Sequence, residues 1–133
     1  MRRLIPAILL ATLALGGCAS DSGIGASPRA TPAAPQGSAV AIGQPVMAGD
    51  LVLTPLAVKE DSRCAAGTQC IWAGRIVVST RVTGTGWSET ADLVAGEDMI
   101  VGGRTILLAS ALPERVAERE IAAGDYRFMF SAK

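Results

Sequence analysis

No histidine occurs anywhere in the 133 residues. The chain therefore lacks the commonest general base at neutral pH and the commonest transition-metal ligand, and Ser-His-Asp and Cys-His catalysis are excluded outright. Aromatic side chains are scarce, with two Trp, one Tyr and two Phe. Basic and acidic residues number twelve each and are scattered along the chain. A nucleic-acid surface would show clustered Lys and Arg, so no nucleic-acid partner is expected. A long hydrophobic run is also missing: Leu4–Leu15 holds twelve residues, whereas a membrane-spanning helix needs roughly twenty.

What the N-terminus does contain is a basic start, Arg2-Arg3, then that short apolar stretch, then Leu15-Gly16-Gly17-Cys18. Pro6 and Gly16-Gly17 shorten any helix and leave small-residue backbone that a peptidase cleft accepts. This is the layout of a secretory leader, and Leu-Gly-Gly-Cys resembles the lipobox of bacterial lipoproteins. The resemblance implies cleavage before Cys18 and a covalent lipid on its thiol, with no other cofactor. At about 0.8 kcal/mol per buried methylene, two or three acyl chains hold durably where one would be marginal. In lipoproteins of this kind an Asp after the lipidated Cys favours inner-membrane retention. Here that position is Ala19, so the expected location is the cell envelope, anchored to the outer membrane and facing the periplasm.

Three segments follow: a signal peptide over 1–17, a lipidated flexible tether over 18–38, and a β-rich globular domain over 39–133. Loss of the leader removes Arg2 and Arg3 and leaves ten basic against twelve acidic residues. The stretch Ser20–Ser38 is rich in Ser, Gly, Ala and Pro with a single Ile. It has too little apolar surface to offset the entropy of ordering, and its reach as a flexible chain is on the order of 25 Å.

Within the domain, Val40–Ile42 and Leu51–Val58 are rich in β-formers and bounded by turn chemistry at Gly43, Pro45 and Gly49-Asp50. The apolar parity changes across Pro55, which predicts a bulge or an edge position there. Arg75–Val82 alternates, placing Ile76, Val78, Thr80 and Val82 on one buried face. Gly84-Thr85-Gly86 reads as a hairpin turn into Trp87–Val94, and Gly102-Gly103 as a turn between Met99–Val101 and Arg104–Leu112. Tyr126, Phe128 and Phe130 share a parity in the last strand, Asp125–Ala132, which predicts that they centre the core. Ser110–Gly124 fits one or two helical turns with Pro113 at the first helical position, or a loop that becomes extended near Ile121. The pattern predicts an all-β fold, a small antiparallel sandwich or barrel with one short disulfide-closed loop.

The disulfide expectation concerns Cys64 and Cys70, the two cysteines left once Cys18 carries lipid. Exported two-cysteine domains usually pair them, and five intervening residues including Gly67 let the chain turn back. They lie within Asp61-Ser62-Arg63-Cys64-Ala65-Ala66-Gly67-Thr68-Gln69-Cys70-Ile71-Trp72-Ala73-Gly74. This stretch resembles a group of small bacterial secreted proteins and lipoproteins with a D-S-R-C-P-x-x-x-x-C-[IV]-W-A-G segment, departing from it at Ala65, where the group has Pro. Thr105–Pro113 is similar to that group's apolar strand ending in Leu-x-Pro, and Gly124–Phe130 to its Gly-Asp-Tyr closing strand. The group has no assigned activity, so the resemblance implies a β-rich exported domain and no mechanism.

Candidate contact residues are Asp61 and Arg63, which either grip a ligand or pair locally, and Trp87, expected to be partly exposed after its turn. Trp72, beside the disulfide, is expected to plug the core. No catalytic or metal-binding constellation is evident. The carboxylate pairs Glu60/Asp61 and Glu97/Asp98 are adjacent in sequence, and neighbours on a strand point to opposite faces. The expected function is a non-enzymatic binding or structural module, attached to the membrane through its lipid and contacting another envelope protein or a small ligand. Two alternatives are a protease inhibitor presenting Ala65–Gln69 and a carboxylate-based hydrolase of envelope glycans.

Overall fold

The computed structural model describes residues 29–133. The leader, Cys18 and most of the expected tether lie outside them. The described residues form seven strands: β1 (Val46–Ala48), β2 (Leu51–Asp61), β3 (Ile76–Gly84), β4 (Trp87–Val94), β5 (Asp98–Val101), β6 (Arg104–Leu112) and β7 (Arg127–Ala132). They form two antiparallel sheets, ordered β1-β2-β3-β4 and β5-β6-β7, as the period-two patterning predicts. The core lies between the sheets. Phe128 is fully buried there with Leu53, Ile76, Val78, Val82, Leu93, Ile106 and Leu108.

Pro55 does mark an irregularity. The β2–β3 register shifts between Pro55 and Ala57, where proline has no N–H to contribute to the ladder, and a second shift falls between Val58 and Glu60. Both predicted hairpins form, pairing Gly84 with Trp87 and Val101 with Arg104. Tyr126 and Phe128 stack with ring centroids 5.7 Å apart, and Phe130 lies 6.4 Å beyond. The aromatic row is central to the core, although β7 itself borders its sheet.

Three expectations need correction. Val40–Ile42 is not a strand: only Val40 pairs, exchanging two backbone hydrogen bonds with Phe128 at 2.8 and 2.9 Å. No helix forms over Ser110–Gly124. Part of this stretch's backbone is bonded to the cysteine loop instead, Ala66 N–H donating to Arg115 O at 2.8 Å, and Leu112 and Val116 are exposed rather than lined up on a buried helical stripe. A single 3-10 turn at Ala123–Asp125 is its only helical element. The ordered domain also begins ahead of residue 39. Ala34 runs parallel to β1, its N–H donating to Pro45 O and its carbonyl accepting from Met47 N–H, both at 2.8 Å.

The sandwich has two distinct ends. One carries the β1–β2, β3–β4 and β5–β6 turns, tied by Arg104, which donates to Asp50 Oδ1 at 3.0 Å and Oδ2 at 2.6 Å. The other carries the β2–β3 connection with the two cysteines and the β6–β7 connection over Pro113–Tyr126.

Candidate functional site

β2 ends at Asp61 and β3 begins at Ile76, and the fourteen intervening residues are fixed from several directions. At the base, Ser62 N–H donates to Arg75 O at 2.9 Å, and Arg75 N–H donates to Ser62 Oγ at 3.1 Å. One step outward, Cys64 N–H donates to Ala73 O at 3.1 Å. Gly74 makes this approach possible. It sits at φ +66°, and a Cβ there would collide with the Ser62 carbonyl. The Cys64 and Cys70 sulfurs are bonded, with their Cα atoms 5.9 Å apart. Inside the ring, Thr68 folds back, its N–H at 3.2 Å and its hydroxyl at 2.6 Å from Ala65 O.

Beneath the loop lies a polar network built from three distant parts of the chain. Arg63 grips Asp61 through two parallel hydrogen bonds, Nε to Oδ1 and Nη2 to Oδ2, each 2.8 Å. Arg63 also donates to the end of β6 and the residue just past it, with Nη1 2.8 Å from Ala111 O and Nη2 3.1 Å from Pro113 O. Tyr126 donates its hydroxyl to Asp61 Oδ2 at 2.9 Å. Arg115 Nη1 donates to the carbonyls of Asp61 and Arg63, both at 3.3 Å. The side chains of Arg63 and Asp61 are only 19% and 10% exposed, and most of their hydrogen-bonding groups are engaged within this local clasp.

The electrostatics follow from that closure. Partial burial alone would raise the Asp61 carboxyl, but the Arg63 guanidinium and the Tyr126 hydroxyl outweigh it and hold the group below the usual carboxylate range. Burial first, and then the hydrogen bond to Asp61 and its charge, push the Tyr126 phenol up to about 12. The hydrogen bond to Asp61 raises the Arg63 guanidinium further. A carboxylate pinned in its ionised form does not suit general-acid work, which needs a raised value. Glu60 is also engaged, accepting from Arg75 Nε at 3.1 Å and lying 2.9 Å from the Ser62 hydroxyl. Glu97 and Asp98 are exposed on the β4–β5 connection and the start of β5. Among the described residues, no group of His, Cys, Asp or Glu side chains could hold a metal ion.

The tryptophans separate sharply. Trp87 is half-buried, as expected, and its indole lies against Gly84 and Gly102, where any Cβ would strike it. It packs onto the core margin. Trp72, expected to plug the core, is 81% exposed, and its neighbour Ile71 is 93% exposed. The reason is the span of the disulfide: it closes a ring within one connection at an end of the sandwich and leaves no core beneath it. Ile71 was not singled out by sequence reasoning. Its signal was available, since it stands in an apolar pair outside any alternating segment, between Cys70 and the Ala73-Gly74 turn. Two more exposed apolar residues, Leu112 and Val116, sit at this same end, and Val116 forms a bridge with Ala66 of the ring. An open depression of about 430 Å³ lies beside them, lined in part by Arg63, Cys64, Ala66, Leu112 and Arg115. The chain matches no family model, no curated protein and no solved structure.

Proposed function

We propose that this chain is a lipid-anchored envelope protein, held to the outer membrane through Cys18 and facing the periplasm, whose β-sandwich is a non-enzymatic binding module with Ile71 and Trp72 as its contact element. The exposure of this apolar pair on a braced loop carries the reading. A loop fixed by a disulfide and by backbone hydrogen bonds at its base loses little freedom on association, and tryptophan contributes a large contact area. The engagement of Asp61 and Glu60 in ion pairs gives the glycan-hydrolase alternative less support. The protease-inhibitor alternative also gains little, because the Ala65–Thr68 turn is closed on itself rather than extended.

A photo-reactive residue placed at position 72 in cells tests the reading, with position 89 on the exposed face of β4 as control. Adducts formed from 72 and not from 89 are the expected result. Equal labelling, or none, would reject Ile71–Trp72 as the contact element.

A further inference from the structure

Resting on that reading, we infer that the occupant of the Ile71–Trp72 tip is the lipid leaflet that holds the anchor: the two side chains dip into the interfacial zone of the membrane and set the domain's orientation on it. The first support is the path of the chain. At Ala34 it runs parallel to β1, and two residues later Gln36 Oε1 accepts from Gly49 N–H at 3.0 Å, at the β1–β2 turn. β1 is antiparallel to β2. The residues preceding Ala34 therefore enter from the end of the sandwich where β2 finishes at Asp61, which is the end that bears the disulfide loop. Only ten residues separate Cys18 from Arg29, at most about 35 Å when fully extended. The chain that leads from the anchor therefore joins the domain from the side that bears the apolar tip, within reach of the same leaflet.

The second support is composition. Ser62–Arg75 contains no acidic residue, so nothing in the loop repels an anionic headgroup. Trp is the side chain enriched at membrane interfaces, where an apolar body and a polar N–H are both accommodated. Of the five exposed large apolar side chains among the described residues, Ile71, Trp72, Leu112 and Val116 share this end and Ile100 lies elsewhere. The loop's two charges, Arg63 and Arg75, are engaged by Asp61 and Glu60. The neighbouring Glu114–Glu120 stretch alternates Glu114, Glu118 and Glu120 with Arg115 and Arg119. The contact is accordingly apolar insertion, insensitive to salt, rather than attraction to headgroup charge.

The test uses the mature lipidated protein, with Cys18 acylation verified by mass, in vesicles of phosphatidylethanolamine and phosphatidylglycerol with or without bromine on the acyl chains. Bromine is expected to quench the tryptophan emission equally at low and high salt. The quench should be lost in Trp72→Phe, retained in Trp87→Phe, and weakened in Ile71→Asp. Emission insensitive to bromine in the acylated protein, or a quench unchanged by Trp72→Phe, would overturn the inference and leave the binding reading standing. Photo-adducts from position 72 to a protein and not to lipid would overturn it in favour of a protein occupant. An unmodified Cys18 would reject the anchored reading and this inference with it.

Discussion

Gly74 is the residue on which the loop's closure turns. Gly74→Ala would place a side chain in left-handed backbone, at a cost of about 1–2 kcal/mol, and would drive Cβ into the Ser62 carbonyl. A fall in the denaturation midpoint beyond that backbone cost is expected. The clasp can be dissected in the same way. Asp61→Asn leaves the Arg63 guanidinium partly buried without its charge partner and should cost about 2 kcal/mol, whereas Tyr126→Phe removes one hydrogen bond to a charged acceptor and should cost about 1.5 kcal/mol. By contrast, Trp72→Ser should change stability by less than about 0.5 kcal/mol, as expected for a surface site. Urea unfolding of the four variants checks all these values. The clasp was only half legible in the sequence. An Asp and an Arg two residues apart suggest a local pair, but nothing in their spacing indicates that Tyr126, sixty-five positions away, shares the same carboxylate. Trp72 was misread because a tryptophan next to a disulfide suggests a core only when the disulfide crosses between sheets.

At the level of elements, alternation made β3 readable to within two residues, and the glycine turns that precede β4 and β6 made those two readable to the residue. Its failures share one cause: β1, the Val40 bridge and the Pro113–Ala122 connection owe their conformations to partners far along the chain, and period-two patterning carries no information about partners. The β2–β3 connection also yields a prediction. Its disulfide closes a ring with five residues inside, so the chain-entropy contribution is about 2 kcal/mol. The sandwich core lies away from it, so Cys64→Ser with Cys70→Ser should leave the β spectrum by circular dichroism intact while lowering stability by that amount. In the photo-labelling experiment the same pair of substitutions should reduce adduct yield from position 72, because the tip then loses its brace. Intact labelling after reduction would show that the Ser62–Arg75 hydrogen bonds suffice.

For the molecule as a whole, two titrations bound the pH range of stability. Asp61 is held below its unfolded value of about 4, so the stabilisation it brings is present above that value and is lost as pH falls through its folded one. Tyr126 is held above its unfolded value of about 10, so its contribution is complete below that value and disappears as pH rises toward about 12. Thermal melts should show a plateau between these limits, and Tyr126→Phe should flatten the alkaline limb specifically. The two-sheet architecture was legible as a class, whereas the polarity of the sandwich, with turns at one end and the clasp and apolar tip at the other, depends on pairings visible only once folded. Lys133 exchanges backbone hydrogen bonds with Thr105 at 2.9 and 3.4 Å, beside the β5–β6 turn. A fluorescent reporter fused after that residue would consequently project from the pole opposite the disulfide, clear of whatever the tryptophan touches, and could serve as a distance gauge for how upright the protein stands.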